Sequence, residues 1–345
     1  MLVRFAVHPD VLLTNKEQST CDPVLVSEHR RLCELWLRYG ILCKPSDPIQ
    51  NAMLWKVILA LPPALKTLWV KAAEHGRVVG VPTLNMLGET LPGDVTWANA
   101  ENVDLICMPD GAASAAPAGA LRAMYPEYCE VHEIDFSRAF RGAEEKASQP
   151  IRKGMRTGAV WSERFRSLFQ TSARVTIVDR YLIRRLLDSR PVNGSAIDHL
   201  LQWSGRDAPR CHVKVLTSLV GRGRDTPAST PRECFDAIEG AWQRASMRGR
   251  PPASLSVYVI PDRWFSEEVH GRHIRFEDRC VVEIDPGLEV LEREETRLMC
   301  TFSLKRLDLS SEHGKMLAKL QETGEKRAAE NREWTRADVM ERAAG

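Results

Sequence analysis

The 345-residue sequence lacks the features that mark membrane, secreted and zinc-ribbon proteins. No apolar run approaches the roughly 20 residues that span a bilayer. The N-terminus has no apolar segment followed by small residues, as a signal peptide would have. The nine cysteines are scattered without a Cys-x-x-Cys pair, which argues against a disulfide framework and is typical of a reducing compartment. We therefore expect a cytoplasmic protein with no transmembrane segment.

The short motifs of several enzyme classes are also missing. The sequence contains no Walker loop, no Gly-x-Gly-x-x-Gly, no Gly-x-Ser-x-Gly and no His-Glu-x-x-His. It therefore gives no signal for a P-loop enzyme, a dinucleotide-binding enzyme, an α/β-hydrolase or a zinc protease. The net charge of +2 is too small to indicate a nucleic-acid partner by itself. Any such prediction depends on local clusters of charge.

Length and patterning favour two α/β domains. At 345 residues the chain is longer than most single hydrophobic cores. Short apolar runs alternate with helical patterns over residues 1–142, and a second α/β domain is predicted over 159–310. The charged segment 143–158 between them is interpreted as a linker or a solvated helix, and the tail 311–345 as a solvated, partly ordered charged helix.

The order of elements in the second half favours a largely parallel sheet. "RVTIVD", "CHVKVLTSL" and "SLSVYVIP" have the pattern of strands separated by helices, and a closing hairpin of "HIRF" and "RCVVEID" would extend the sheet. Asp179 and Arg180 follow the first strand, and Thr217 and Ser218 follow the second. Because the carboxyl ends of parallel strands meet at one edge, we expect these four residues to converge there and to contact a phosphate.

This half resembles a known family. The runs "VTIVDRYLIRRLL", "HVKVLTS", "HGRHIRFEDRCVVEIDPGLEVL" and "FSLKRLDL" are similar to the phospholipase-D-like C-terminal domain of MIT-domain-containing proteins and its bacterial relatives. The resemblance covers about residues 160–310. It implies a phospholipase-D-like fold with a mixed sheet.

The resemblance also implies a phosphodiester site in "HGRHIRFED". Phospholipase-D-type enzymes use a His-x-Lys pair followed by an acid about five residues later; one histidine attacks phosphorus and another protonates the leaving oxygen. Here His270 corresponds to the nucleophile, Arg272 to the lysine and Glu277 to the acid that orients the histidine, with Arg275 as a further anion clamp. On an extended segment, positions 270 and 272 point to the same side. Such a site needs no cofactor.

A single copy of this motif leaves several interpretations open. A complete two-histidine site would need a homodimer, or His273 or His212 in the second role. Arginine is not a neutral replacement for lysine, and related domains are thought to be catalytically silent binding modules. The motif therefore fits catalysis, phosphate binding without turnover, or polar residues at the edge of a hairpin.

The first half resembles a diverged PIN-type ribonuclease domain. The resemblance rests on "RFAVHPDVLL", "ENVDLICMPDGAA" and "VHEIDFSRAF", and it implies strand-end acids that hold Mg²⁺ or Mn²⁺. By position the candidate metal ligands are Asp10, Asp104 and Asp110, and the helical acid of the family is either Glu28 or Glu34. An active metal site and a degenerate scaffold without metal are both compatible with the sequence.

Three histidines of the first half give no metal signal. His8, His75 and His132 lack ligand spacing, and we interpret them as ordinary polar residues.

Taken together, the two resemblances predict a nuclease or a nucleic-acid-binding effector. Bacterial proteins that pair such modules are often effectors of antiviral or mobile-element systems, which implies protein partners. The alternative is a catalytically silent module that binds an anionic ligand, a membrane surface or a protein partner.

Overall fold

The chain folds into two units, Met1–Glu145 and Lys146–Gly345. The structure is a computed structural model. It describes residues 1–13, 22–82, 84, 103–110, 126–183, 186, 194–219, 230–267, 272–277, 279–307 and 311–336. The division falls inside the segment in which the sequence predicts a linker. Each unit is an α/β structure with its own sheet, in agreement with the predicted fold class.

The first unit contains a parallel five-stranded sheet in the order β3-β2-β1-β4-β5. Its strands are β1 (Val3–Val7), β2 (Gly40–Pro45), β3 (Arg77–Val81), β4 (Leu105–Met108) and β5 (Glu127–Glu130). Its helices are α1 (Pro9–Leu13), α2 (Pro23–Tyr39), α3 (Pro48–Leu59), α4 (Pro63–His75), a 3-10 helix (Val131–Phe136) and α5 (Arg138–Ser148), which crosses the boundary between the units.

The three inner strands of the first unit, β1, β2 and β4, are buried on both faces. Phe5, Leu42 and Leu105 pack into one apolar cluster, whereas Ala6 and Ile106 belong to a second cluster on the other face. Such continuous apolar runs are typical of parallel sheets covered on both sides. The predicted helix "SEHRRLCELWLRYG" corresponds to α2, and "ALKTLWVKAAEHG" corresponds to α4.

The second unit contains a mixed seven-stranded sheet in the order β11-β10-β9-β6-β7-β8-β12. Its strands are β6 (Arg174–Val178), β7 (His212–Thr217), β8 (Ser254–Val259), β9 (His273–Phe276), β10 (Cys280–Asp285), β11 (Thr301–Arg306) and β12 (Glu330–Thr335). Its helices are α6 (Thr157–Val160), a π-helical turn (Trp161–Phe165), α7 (Arg166–Gln170), α8 (Ala196–Asp207), α9 (Pro231–Arg248), α10 (Asp262–Glu267), a 3-10 helix (Leu288–Leu291) and α11 (Glu312–Arg327).

The predicted strand order of the second unit is confirmed, and the helix predicted over "PRECFDAIEGAWQRASMRG" corresponds to α9. Strands β6, β7 and β8 are parallel, with α8 and α9 between them along the chain. The helix predicted over "YLIRRLLDS" does not correspond to α8, because residues 181–183 form a turn and α8 begins at Ala196. The hairpin of β9 and β10 extends the sheet through antiparallel pairing of β9 with β6. Helix α9 begins with a capping box at Thr230 and Glu233, which ends the preceding loop and fixes the start of the helix.

The structure differs from the sequence-based expectation at both ends of this unit. Ile151 and Arg156 form bridges to Cys300 and Glu295, so the second half of the predicted linker is paired with the second unit. The predicted helical tail contains α11, but Glu330–Thr335 forms β12, antiparallel to β8. This strand is polar along most of its length and is anchored by the buried Trp334. Such an edge strand has too weak an alternation to be recognised from the sequence.

Candidate functional site

The structure brings together the four polar residues predicted at the strand ends of the second unit. The Asp179 N–H donates to the Leu216 carbonyl, and the Thr217 hydroxyl donates to the Arg180 carbonyl at 3.5 Å. The Ser218 hydroxyl donates to the Asp262 carboxylate at 3.0 Å. The convergence predicted from parallel strands is therefore present at this edge of the sheet.

Arg180 is already neutralised within this cluster. Its Nε donates to Asp262 Oδ1 at 2.6 Å, and its Nη2 forms a second, shorter bond to the same carboxylate. This hydrogen-bonded carboxylate raises the pKa of the Arg180 guanidinium. A bidentate pair of this kind uses the donors that a phosphate would need.

Arg272 lies in a shell of carboxylates. Its guanidinium nitrogens are 3.7 Å from Asp179, 3.8 Å from Asp285 and 3.8 Å from Glu289. The guanidinium also stacks on the Tyr181 ring, 4.8 Å from the centroid, and only 17% of the side chain is exposed. A phosphate beside Arg272 would face three negative charges, so this position does not favour an anion.

Asp179 holds the strand end against the loop that follows β10. Its side chain is 2% exposed and accepts hydrogen bonds from the N–H groups of Tyr181, at 2.9 Å, and Leu288, at 3.0 Å. Burial raises the pKa of this carboxyl group. Gly287 approaches closely with φ of 101°, and a Cβ there would lie 2.5 Å from Asp179 Oδ2. These contacts are typical of a structural residue that holds this edge of the sheet together, and not of a residue that contacts a ligand.

Glu277 and Arg275 are not brought to this edge. Strand β9 is antiparallel to β6, so Glu277, at its far end, lies roughly 16 Å along an extended chain from Arg272. There Glu277 accepts a hydrogen bond from the Ala173 N–H at 2.6 Å. Arg275 donates to Gln321 of α11 at 3.2 Å. The roles predicted for Glu277 and Arg275 beside Arg272 are therefore not supported. Glu277 lies at the opposite end of the strand, and Arg275, three residues from Arg272 on an extended chain, points to the opposite face. His270 lies outside the described residues.

In the first unit, the three predicted metal ligands are divided between opposite edges of the sheet. Asp104 precedes β4 and accepts a hydrogen bond from the Arg4 N–H at 2.8 Å, which places it at the amino ends of the strands. Asp10 and Asp110 follow β1 and β4 and lie at the carboxyl ends. Asp10 is 3.6 Å from His8. The predicted set of Asp10, Asp104 and Asp110 cannot share one ion, because Asp104 is at the wrong end.

A different set of ligands surrounds Asp110. The side chains of Asp110, Glu130 and His132 each offer a ligand atom, and these atoms all lie within 4.8 Å of one another. His132 Nδ1 is 3.2 Å from Asp110 Oδ1 and 3.7 Å from Glu130 Oε2. The interpretation of His132 as an ordinary polar residue did not anticipate this grouping. A signal was available, since Glu130 and His132 stand at the end of a strand two residues apart.

Glu28 of α2 belongs to the same electrostatic cluster. Burial and the negative charge of Asp110 raise the pKa of the Glu28 carboxyl, while His132 lowers it. Glu34, the other candidate for the helical acid, is 3.6 Å from Arg31. Of the two candidate helical acids, Glu28 is the one that interacts electrostatically with Asp110 and His132.

Two carboxylates and one imidazole fit a divalent transition metal. Carboxylate oxygens suit Mg²⁺ and Mn²⁺, and an imidazole nitrogen shifts the preference from Mg²⁺ towards Mn²⁺ or Zn²⁺. The hydrogen bond to Asp110 raises the pKa of His132, and a ligand imidazole must be neutral. The order β3-β2-β1-β4-β5 reverses direction between β1 and β4. Asp110 follows β4 and thus lies beside this switch point, where open α/β sheets bind their ligands.

Comparison with known proteins does not assign the chain to a family. The sequence matches no family model, and no curated protein matches it significantly. Within the part of the chain that the structure describes, no helix is both long enough and apolar enough to cross a membrane. Functional inference therefore depends on the geometry of the side chains.

Proposed function

We propose that this protein is a metal-dependent phosphodiesterase that acts on nucleic acid, with its active site in the first unit. The observation that carries the proposal is the cluster of Asp110, Glu130 and His132 at the carboxyl edge of the sheet. The PIN-like resemblance implies the same reaction class at the same edge. A role in a bacterial antiviral or mobile-element system stays a proposal that rests on the resemblances.

Each residue of the cluster has a distinct role in this proposal. Asp110, Glu130 and His132 would hold the ion, which supplies Lewis acidity and lowers the pKa of a bound water. Glu28 is placed to accept a proton from an attacking water, because burial and the charge of Asp110 raise the pKa of its carboxyl group. His132 Nδ1, which contacts Asp110, is the nitrogen that would bind the ion, so coordination by both side chains would replace this hydrogen bond.

An exposed aromatic ring near the cluster supports a nucleic-acid substrate. Phe136 ends the 3-10 helix that carries His132, and it is 66% exposed. The Arg141 guanidinium stacks over this ring at 5.0 Å and donates to the Asp135 carbonyl. Asp135 also binds Arg31, which lies about 4.5 Å along α2 from Glu28. A ring oriented in this way offers a face for stacking a base of a single strand.

Cleavage assays on the full chain test the proposal. Single- and double-stranded DNA and RNA would be incubated with protein in EDTA, Mg²⁺ or Mn²⁺. We expect metal-dependent cleavage that falls by at least about 100-fold in Glu130→Gln and His132→Ala, because outer-shell changes alone cost about 10- to 100-fold. Glu133→Gln, on the same 3-10 helix but outside the cluster, is the matched control and should retain cleavage.

Three outcomes would contradict the proposal. One is the absence of Mn²⁺ binding by calorimetry together with the absence of cleavage. A second is cleavage that persists in EDTA and is lost in Arg272→Met, which would move the activity to the second unit. A third is loss of cleavage in Asp104→Asn with retention in His132→Ala.

The three carboxylates around Arg272 favour a second, non-catalytic function for the second unit. Because Asp179, Asp285 and Glu289 compensate this arginine, we infer that the phospholipase-D-like half is a catalytically silent binding module. Under this proposal, Arg272→Met leaves nuclease activity unchanged. Loss of activity in that variant, with an unchanged thermal midpoint, would contradict it.

A further inference from the structure

One arginine of the second unit is buried without compensation. Arg164 lies in the π-helical turn Trp161–Phe165 and is 3% exposed. Its Nε and Nη1 atoms are both buried and have no hydrogen-bond partner among the described residues. Single π-helical turns occur frequently at functional sites.

The surroundings of Arg164 do not neutralise it. The nearest ring is Phe302, with the guanidinium 5.2 Å from its centroid, and this contact leaves the N–H donors unsatisfied. Burial lowers the pKa of the Arg164 guanidinium, while Glu163 raises it. Arginine nevertheless keeps its proton in proteins, so the buried charge persists. An uncompensated buried charge is strongly destabilising.

Two other arginines of this unit have carboxylates close to their guanidinium groups. Arg166, two residues further along, lies 3.4 Å from Asp207 and is 51% exposed. Arg272 is surrounded by three carboxylates. Arg164 is the more buried of the three and lacks a comparable partner among the described residues.

Arg164 lies beside an outer strand of the sheet. Phe302 belongs to β11, which is the terminal strand of the seven-stranded sheet. Arg164 is therefore enclosed between a helical turn and this outer strand.

We propose that Arg164 binds a small oxyanion of the phosphate type at the β11 edge of the second unit. A guanidinium N–H forms a charge-assisted hydrogen bond with an oxyanion oxygen, and such bonds are about twice as strong as neutral ones. The anion supplies the missing negative charge and accepts a hydrogen bond from one of the two buried donors, which point in different directions. This site shares no side chain with the strand-end cluster around Arg272 and is independent of the nuclease proposal.

Thermal unfolding of the full chain tests the proposal. Midpoints would be measured in EDTA, at constant ionic strength, with inorganic phosphate, adenosine monophosphate or chloride. We expect phosphate at ten times its Kd to raise the midpoint of the wild type by about 3 to 5 °C, with no rise in chloride. A similar rise with adenosine monophosphate would identify a phosphate ester as an equally suitable source.

Two variants make the test specific. Arg164→Met keeps the length of the side chain and removes the charge; it should lose the phosphate response and, without phosphate, unfold at or above the wild-type temperature. Arg166→Met should keep the response. Equilibrium dialysis of wild-type protein with radiolabelled phosphate gives a second reading that needs no variant. The proposal is refuted if dialysis finds no bound phosphate, or if Arg164→Met keeps the full response.

Discussion

Replacing Asp179 with asparagine tests whether the strand-end cluster of the second unit is structural or ligand-binding. Each carboxylate oxygen of Asp179 accepts a backbone N–H, one from Tyr181 and one from Leu288. Asparagine has one acceptor oxygen, so one of the two N–H groups would face an amide NH₂ group. The variant keeps the size of the side chain and changes only its charge and hydrogen bonding.

The expected magnitude follows from opposing terms. A lost hydrogen bond to a charged acceptor, together with a buried donor left unsatisfied, costs about 3 to 4 kcal/mol. Removal of the charge offsets part of this free-energy cost. Burial raises the pKa of Asp179, which means that burial disfavours the ionised carboxylate in the folded protein. The hydrogen-bond contribution is the larger of the two, so the net expectation is a loss of about 2 kcal/mol from the free energy of unfolding of the second unit.

Hydrogen exchange read by mass spectrometry measures this loss in the full chain. Buried amides of β7 and β8 exchange by unfolding of the second unit, so a loss of about 2 kcal/mol should speed their exchange by about 30-fold. Amides of the first unit serve as an internal reference. Asp285→Asn is the matched control: Asp285 is also 3.8 Å from Arg272, but its side chain is 81% exposed, and we expect less than about 0.5 kcal/mol. Wild-type exchange rates in Asp179→Asn would refute the structural role and return Asp179 to the candidate ligand contacts.

Three further predictions concern stability. Burial lowers the pKa of His29 to about 4, below its ordinary value of 6.5, so the unfolded chain binds this proton first. Stability is then complete above pH 6.5 and falls by about 3 kcal/mol as the pH drops to about 4. His29→Gln, which keeps an acceptor for Trp69 Nε1, should flatten this dependence of the thermal midpoint; an unchanged slope would contradict the assignment. A Cβ at Gly205 would lie 1.9 Å from a carbonyl oxygen, so Gly205→Ala should lower the urea midpoint strongly, whereas Gly142→Ala, in open space on α5, should stabilise by about 0.5 to 1 kcal/mol. Trp334→Ala should cost about 3 kcal/mol in urea unfolding because the ring is 4% exposed; a loss below about 1 kcal/mol would show that β12 is not anchored by it.

Much of the architecture could be predicted because it depends on local periodicity. Strands such as β6 and β7 combine β-branched residues with flanking turns, and helices such as α9 carry their apolar residues at helical spacing. The convergence of Asp179 and Thr217 followed from a general property of parallel strands. The polar strand β12 could not be predicted, because its main signal is one tryptophan that packs against Phe235.

The candidate sites needed the tertiary structure, because a side chain's role depends on neighbours that are distant in the sequence. Asp110 and His132 are 22 positions apart and meet only because β4 and β5 are adjacent. Asp179 and Leu288 are 109 positions apart, and the hydrogen bond between them gives the carboxylate a structural role.

By itself, the sequence determined the α/β character of the two halves, most of their strands, some of their helices, and the edges at which polar residues gather. The tertiary structure decided which of those residues share a site, which are neutralised by a neighbour, and which charge is buried without one. The physical reason is that secondary structure follows from the backbone and from local side-chain patterns, whereas ligand geometry and charge compensation act through space over a few ångströms.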